Sequence, residues 1–289
     1  MPELAEVEFF RRRWDTGHGH RIVAVQVHPR ARTFRDCEVG RLRRFVTGRV
    51  LGWSASAAKQ MIFRFDPVAG AGSHGWIGIH LGMTGELRAE PIGYASTRHD
   101  HLVLRQERCT LVFNDPRMFG GVRFAVGADA PQWWTSIAPA VASPDFTRAA
   151  VAEFLRRRRR APIKAVLLMQ ERFPGVGNWM ADEILWRAGI HPAQAAGSLT
   201  EPEVARLHRE CRWVCRQALR LNGGVGHRLP PKLNAFIPKT WLFWHRWEPG
   251  GRCPRTHVRL VRATIGGRTT CWSPARQKLH PAGRRTRSS

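Results

Sequence analysis

The first residues of the chain combine a potential nucleophile with an acid. Removal of Met1 would leave the secondary amine of Pro2 as the first group of the protein, with the Glu3 carboxylate beside it. Because an α-amino group has a reference pKa of about 7.7–8.0, a useful fraction is unprotonated near neutral pH and can attack a carbonyl carbon. A structural alternative stays open, in which Pro2 permits removal of the initiator methionine and Glu3 starts a helix at the end that favours negative charge.

A second candidate site is the turn Gly175–Asn178, which reads Gly-Val-Gly-Asn and directly precedes an amphipathic segment. Such a turn exposes backbone N–H groups and a helix N-terminus to an anion, and phosphate is a suitable ligand. In most proteins a bare Gly-x-Gly-Asn only caps its helix. These four residues alone therefore leave both interpretations open.

Charge and composition indicate a polyanionic partner. The 289 residues include 47 Lys and Arg against 22 Asp and Glu, and the net charge of +25 favours nucleic acid and salt-sensitive binding. A hydrophobic content of 43% with Trp at 12 positions excludes a disordered chain, and the length allows about two domains. The arginine run Arg156–Arg160 is either an additional phosphate track or a solvated helix face.

Targeting signals and cysteine usage favour an intracellular protein. The chain has no run of about 18 apolar residues and no signal-peptide hydrophobic region, so we expect a cytoplasmic, nucleoid-associated location and no membrane partner. The cysteines form no Cys-x2-Cys pairs, which favours reduced thiols over a disulfide framework or a standard zinc site. Cys211 and Cys215, four residues apart, fit two small buried residues better than a shared ligand. The six cysteines are Cys37, Cys109, Cys211, Cys215, Cys253 and Cys271.

Hydrophobic periodicity indicates which elements position these residues. After a helix over residues 3–14, short alternating runs predict a β-rich first half, and a helical second half begins near residue 146. We predict domains at 1–135, 145–222 and 223–289, the last a loop, a hairpin and a basic tail. The predicted strands are Arg21–Val27, Met61–Phe65, Trp76–His80, His101–Leu104 and Leu111–Phe113. The predicted helices are Ala149–Arg159, Ile163–Gln170, Val176–Ala188 and Glu201–Leu221, with a hairpin over Leu260–Trp272 that turns at Gly266-Gly267.

Several motifs occur together in a fixed order, which is more specific than any one of them. They are Met1–Leu4, Lys59, His80–Gly85, His99–His101, Asn114–Arg117, Phe119-Gly120, Gly175–Pro192 and Gly266–Thr270. In this set the chain resembles the formamidopyrimidine-DNA glycosylase and endonuclease VIII family.

The resemblance implies an α+β fold, with an N-terminal β-sandwich flanked by helices and a C-terminal helix–two-turn–helix domain that carries a zincless-finger β-hairpin. It implies a bifunctional DNA glycosylase and abasic-site lyase of base excision repair, which removes oxidised bases through a Schiff base at the Pro2 amine followed by β,δ-elimination. The implied partner is damaged DNA, mainly double-stranded, bound by a monomer. The alternatives are a non-catalytic damaged-DNA-binding protein on the same scaffold and a generic basic nucleic-acid-binding module.

The resemblance also assigns roles to individual residues, since an enzyme that acts on a base must extrude the nucleotide, fill the gap and hold the backbone. Glu3 would protonate the sugar and relay protons, and Glu6 would support it through hydrogen bonds. The catalytic set is Pro2, Glu3, Glu6 and Lys59. The phosphate-binding set is Lys59, His80, Asn178 and Arg268, although His80 alone would read as a core histidine. The void-filling set is Met83, Arg117 and Phe119, and ordinary core is the alternative for its two apolar members.

Departures from the family pattern affect the metal and the substrate. Bacterial members end in a four-cysteine zinc finger, whereas Cys253–Thr256 keeps one cysteine and Ser273–Gln277 has none. We therefore expect no zinc and no other cofactor, and a hairpin held by packing alone. An unorthodox site would need Cys253, His257, Cys271 and His280.

The preferred lesion stays open. Met118 replaces a usual arginine, Ala5 replaces a usual proline, and Gly223–Thr240 lacks the pattern of the loop that caps 8-oxoguanine. The altered loop and the zincless finger favour members that remove oxidised pyrimidines or hydantoins. The start of the chain favours the formamidopyrimidine branch.

Overall fold

The computed structural model describes residues 2–28, 32–68 and 72–280. The chain forms two compact units, one from Met1–Ile137 with Asn222–Leu233 and the other from Ala138–Leu221 with Asn234–Ser289. The domain limits inferred from the sequence stay a prediction.

The first unit holds two antiparallel sheets, each with four strands in the described residues. One has the strand order β1-β6-β7-β5 and the other β2-β3-β4-β8. The strands are β1 (Ile22–Val27), β2 (Val50–Ala57), β3 (Gln60–Asp66), β4 (His74–His80), β5 (Glu86–Glu90), β6 (Asp100–Gln106), β7 (Thr110–Asn114) and β8 (Gly121–Gly127). The helices of this unit are α1 (Leu4–Arg12), α2 (Val39–Val46) and α3 (Gln132–Thr135), with 3-10 turns at Asp15–Gly17 and Arg32–Phe34.

Apolar side chains from both sheets share one core, which makes the unit a β-sandwich as predicted. Phe63 of β3 and Phe113 of β7 are fully buried in that core. Trp14, which follows α1, packs its ring 4.7 Å from that of Phe63 and donates its indole N–H to Arg88 O at 3.1 Å. This contact fixes α1 against the sandwich, and α1 is the helix that the candidate nucleophile Pro2 precedes.

The second unit is mainly helical and ends in a β-hairpin. Its elements are α4 (Arg148–Arg157), α5 (Ile163–Val166), α6 (Asn178–Ala188), a 3-10 turn (Ala196–Ser198), α7 (Glu201–Leu221), α8 (Leu242–His245), β9 (Val261–Ile265) and β10 (Arg268–Trp272). The hairpin turns at Gly266-Gly267, both with positive φ, which confirms the predicted turn. None of the helices in the described ranges is both long and apolar enough to cross a bilayer.

One predicted helix is wrong in length. The apolar pattern of Ile163–Gln170 predicted two turns, but the α-helix ends at Val166. The Gln170 side chain donates to Leu168 O at 2.9 Å and Val176 O at 3.0 Å, and accepts from Gly175 N at 3.0 Å. These bonds give the backbone partners in a turn, so the chain leaves the helix early.

Candidate functional site

The candidate nucleophile precedes a helix whose start is fixed by its own carboxylates. Glu3 is the N-cap of α1, and its backbone N–H donates to Glu6 Oε2 at 2.6 Å in a capping box, with both carboxylates buried. Pro2 is therefore joined to a rigid element. The hydrogen bond that the sequence analysis assigned to Glu6 in this turn is present.

Pro2 lines a cavity of about 250 Å³ together with Glu6 and Met83. These residues come from motifs more than 70 positions apart in the sequence. Strand β5 adds Glu86 to the wall, and Leu233 closes another side. The cavity thus combines an amine position, two carboxylates and an apolar side chain.

Two adjacent loops present the residues assigned to void filling. Met83 is 40% exposed and Phe119 is 55% exposed, so neither belongs to the core. The backbones of the two loops lie close together. A Cβ added to Gly82 would lie 2.4 Å from Phe119 C, so no side chain fits between them. The Arg117 guanidinium lies 4.9 Å from the centroid of the Phe119 ring, which supports the ring from one side.

A buried carboxylate, which the sequence analysis did not single out, ties these loops together. Asp115 accepts hydrogen bonds from Thr84 Oγ1 at 2.9 Å, Gly120 N at 2.7 Å and Arg117 N at 3.3 Å. Its own carbonyl contacts the buried ring of His101 at 2.7 Å. Asp115 has no exposed surface, so it holds the tips of both loops from beneath.

Lys59 and His80 meet at one end of the β2-β3-β4 sheet. Lys59 lies in the two-residue turn between Ala57 and Gln60, where Ala58 has a φ of +53°, and Gln60 pairs with His80 on β4. Burial, with Lys59 and Arg123 nearby, lowers the pKa of His80 below its ordinary value of 6.5. His80 is therefore mainly neutral at neutral pH rather than the cation that the sequence allowed.

The neutral ring still suits a phosphate. Gly82 N–H donates to His80 Nδ1 at 3.1 Å, so the ring proton is on Nε2. An Nε2–H group is a donor, which can bind a phosphate oxygen beside the Lys59 ammonium.

In the second unit, Asn178 is joined to the hairpin that carries Arg268. Asn178 begins α6 directly after the glycine turn, and its Nδ2 donates to Thr269 O at 2.9 Å. Its Oδ1 is buried without a hydrogen-bond partner in the described part of the chain. Arg268 begins β10 and is exposed. The helix N-terminus and the arginine of two separate motifs thus lie next to each other.

A buried ion cluster behind these residues was also missed by the sequence analysis. Asp182 Oδ1 accepts from Lys164 Nζ at 2.5 Å, and Asp182 Oδ2 accepts from Arg246 Nε at 2.9 Å and Cys271 N at 3.2 Å. Lys164 also donates to Asn178 O at 2.6 Å. One carboxylate therefore connects α5, α6, the segment after α8 and the hairpin.

Where the family has its zinc ligands, this chain has a single cysteine, Cys253, with hydroxyl side chains around it. Burial would raise the pKa of Cys253, but hydrogen bonds from Thr256, Ser273 and Trp186 outweigh it and lower the pKa to about 7. The Trp186 indole N–H donates to the sulfur at 3.3 Å. Hydroxyl groups occupy two positions where zinc would need ligands. Within residues 2–28, 32–68 and 72–280, no three His, Cys, Asp or Glu side chains are grouped to hold a metal.

Hydrogen bonds stabilise the hairpin region as well as packing, so the expectation of packing alone is wrong. Ser273 N donates to Gln277 Oε1 at 2.9 Å, and Gln277 Nε2 donates to Ile190 O at 2.9 Å. Both side chains are buried. These contacts link the segment after β10 to the end of α6.

The segment with the altered family pattern is anchored by α1. The Arg12 guanidinium donates to the carbonyls of Gly224, of Gly223 at 3.4 Å and of His227 at 3.3 Å. Arg12, Glu8 and residues 224–228 line a cavity of about 710 Å³. This role could not be predicted from the sequence, because an arginine in the last turn of a helix is common.

The chain matches one protein family over most of its length. Residues 1–122 match the formamidopyrimidine-DNA glycosylase N-terminal domain, and residues 137–228 match the formamidopyrimidine-DNA glycosylase H2TH domain. The chain is 33% identical over 283 residues to a protein of Roseiflexus sp. (strain RS-1) named formamidopyrimidine-DNA glycosylase, covering 96% of this chain and 100% of the relative. A protein of the same name from Thioalkalivibrio sulfidiphilus is 36% identical over 292 residues, with 96% and 100% covered.

Solved structures show the same fold. The wild-type Lactococcus lactis Fpg (MutM) in complex with DNA containing N7-benzyl-Fapy-dG matches with a TM-score of 0.80 and 25% identity, covering 96% of this chain and 100% of that chain. A complex of the same protein with DNA containing an oxidised pyrimidine matches with a TM-score of 0.80, the same identity and the same coverage. The predicted α+β fold class is confirmed.

Proposed function

Because the chain belongs to the formamidopyrimidine-DNA glycosylase family, we propose that it is a bifunctional DNA glycosylase and abasic-site lyase of base excision repair. The observation that carries this proposal is the cavity that Pro2 shares with Glu6 and Met83. An amine position beside carboxylates can form the Schiff base. The exposed side chain of Met83 beside it can fill the space that an extruded nucleotide leaves in the DNA duplex. A protein that only bound DNA would need none of the amine chemistry.

The reaction begins at the Pro2 amine once Met1 has been removed. The nitrogen attacks C1′ of the damaged nucleotide, the glycosidic bond breaks, and the bonding electron pair leaves with the base. Glu3 protonates O4′ as the sugar ring opens, which leaves an iminium ion between Pro2 and C1′. Glu6 keeps the Glu3 backbone in place through its hydrogen bond to the Glu3 N–H.

The iminium ion makes the C2′ proton acidic. Removal of that proton expels the 3′-phosphate, a second elimination expels the 5′-phosphate, and water releases the sugar remnant from Pro2. The cut strand then carries a phosphate on each side of a one-nucleotide gap. The amine itself supplies the activation, so we propose no metal or nucleotide cofactor.

The remaining residues hold the DNA. Met83 and Phe119 fill the space left by the extruded nucleotide, and Arg117 binds the orphaned base. Lys59, His80, Asn178 and Arg268 bind phosphates, which positions the strand without reading its sequence. The partner we propose is damaged double-stranded DNA, bound by a monomer in an intracellular, nucleoid-associated location.

The substrate class we propose is oxidised bases. The Lactococcus lactis relative was solved with a formamidopyrimidine and with an oxidised pyrimidine. In this chain residues 224–228, anchored by Arg12, line the large cavity, and the sequence of Gly223–Thr240 departs from the 8-oxoguanine loop pattern. We therefore expect oxidised pyrimidines and hydantoins to be removed at least as fast as 8-oxoguanine.

The proposal is tested with single-turnover cleavage of duplexes that contain an abasic site, 8-oxoguanine, 5-hydroxyuracil or a hydantoin. Protein with a native N-terminus should cut the strand and leave phosphate on both ends. Two controls are compared with the native protein. One is the same chain with a residue added before Pro2, and the other is the Glu3→Gln variant. Both should bind the duplexes but lose most cleavage. Binding without cleavage by the native form would favour the non-catalytic damage binder.

A further inference from the structure

A second polar cavity lies on the sandwich, next to the exposed loop that carries Phe119. It has a volume of about 320 Å³, and its wall includes Gln60, His80, Gly121 and Arg123. Gln60 pairs with His80, and His80 pairs with Gly121, across three neighbouring strands. Directly paired residues and residues two apart share a face of a sheet, so all four point to the same side.

One of these four positions is a glycine, Gly121 at the start of β8, which leaves space on this face of the sheet. A Cβ placed on Gly121 would meet no atom within 4 Å, and its φ is not in the left-handed region. A larger residue is therefore sterically possible here. Neither the neighbouring atoms nor the backbone conformation requires glycine at this position.

The charges around the cavity favour an anion. Arg35 and Arg123 are exposed at its wall, with Asp36 as the acidic residue among the lining side chains. Burial lowers the pKa of His80, and the positive charges of Lys59 and Arg123 add to that shift. Two arginines thus line a cavity that has one carboxylate among its lining side chains.

A buried hydroxyl at the cavity wall lacks a partner. Thr33, in the turn Arg32–Phe34, is 1% exposed, and its Oγ1 has no hydrogen-bond partner in the described ranges. A buried donor without a partner costs free energy, so such groups are rare unless a ligand completes them. An oxyanion in the cavity would supply the missing acceptor.

We propose that this cavity binds a phosphate of the DNA backbone, in addition to the phosphates assigned to Lys59, His80, Asn178 and Arg268. The proposal rests on the function proposed above, because Phe119 forms part of the same wall and brings the duplex to the cavity. Arg123 supplies the charge, and Thr33 supplies a neutral hydrogen bond. The site binds any DNA sequence, since phosphate contacts carry no base information.

The test is a phosphate-by-phosphate replacement in a duplex that carries a stable abasic-site analogue. Each backbone phosphate near the lesion is replaced in turn by an uncharged methylphosphonate, and binding is measured for each duplex. One phosphate beyond those bound by Lys59 and His80 should weaken binding about tenfold when neutralised. In Arg123→Gln this sensitivity should be lost, so that neutralising that phosphate no longer weakens binding. The magnitude of the slope of log K for DNA binding against log salt concentration should fall by about one.

Two further variants separate a bound phosphate from general charge attraction. Gly121→Leu keeps every charge but fills the cavity, and it should remove the same sensitivity. Thr33→Val should reduce that sensitivity while leaving the unfolding midpoint unchanged or raised, since it deletes a buried hydroxyl without a partner. The control Arg41→Gln makes the same charge change on α2 and should leave the sensitivity in place.

The outcomes distinguish this site from the proposed function. Failure of the native protein to cut abasic-site DNA would overturn the function. Cleavage by the native protein together with an unaltered phosphate profile in Gly121→Leu and Thr33→Val would overturn the cavity site alone. A loss in Arg123→Gln spread evenly over all phosphates would likewise show that no single phosphate occupies it.

Discussion

Replacing Asp115 by alanine tests whether one buried carboxylate holds the two exposed loops. The carboxylate accepts from Thr84 Oγ1, Arg117 N and Gly120 N. Thr84 and Arg117 are exposed and can turn to water, so each loss costs about 1 kcal/mol, whereas Gly120 N is buried and its orphaned N–H costs about 1–3 kcal/mol. Asp115→Ala should therefore lower the free energy of unfolding by about 3–5 kcal/mol.

Asp115→Asn is the matched control because it keeps the shape. Its amide oxygen can still accept from Gly120 N, and its NH2 group can donate to the Thr84 hydroxyl, which can act as an acceptor. The weak bond at 3.3 Å from Arg117 N is lost, so we expect a cost of about 1 kcal/mol.

Urea unfolding measures both variants. The fluorescence of 2-aminopurine placed opposite an abasic site reports insertion of Met83 and Phe119. Alanine should reduce the fluorescence change on binding, and asparagine should largely retain it. Equal stability of the two variants within about 0.5 kcal/mol would refute the assigned role of the carboxylate.

Three other predictions follow from the contacts of Arg12, Asp182 and Cys253. Arg12→Gln loses the bonds to the carbonyls of Gly223 and His227, so single-turnover removal of an oxidised base should slow about tenfold, while cleavage of a preformed abasic site should change less than about twofold. Asp182→Asn leaves two buried cations without their counter-charge and should cost about 3–5 kcal/mol in urea unfolding, and a cost below about 1 kcal/mol would contradict the ion cluster. The pKa of Cys253 is about 7 in the folded protein against an ordinary value of 9.0, so its thiolate adds stability that is complete above pH 9 and is lost as the pH falls through 7. Unfolding measured at pH 7 and pH 9 should show this gain in the native protein and not in Cys253→Ser, and the Cys253→Ser profile should be the flatter of the two.

Much of the fold could be predicted because its elements have strong patterns. The helix predicted over Glu201–Leu221 has those bounds in the structure, since apolar residues recur at helical spacing along all of it. Strand β2 was not predicted, because its sequence is rich in Gly, Ala and Ser and lacks clear alternation. Its partner β3 has three consecutive buried apolar residues, and the sequence predicted this strand.

The residues of the candidate site also fall into two groups, those that local sequence motifs indicate and those that only the fold brings together. Motifs at Pro2 and Phe119 are local in sequence and were found, whereas Asp115 and Asp182 act through contacts that only the fold creates. Asp115 looks like part of a turn, and its carboxylate partners come from two loops. For Asp182 a signal did exist, because most residues of α6 are apolar and a charge inside such a buried helix has to be paired.

Borohydride trapping tests the central claim most directly. Protein with a native N-terminus is incubated with abasic-site duplex and reductant, and the cross-linked peptide is identified by mass spectrometry. The account predicts a sugar adduct on the nitrogen of Pro2 and none on a lysine. Tight binding without any adduct, in protein shown to lack Met1, would contradict the account and leave a damage-binding protein.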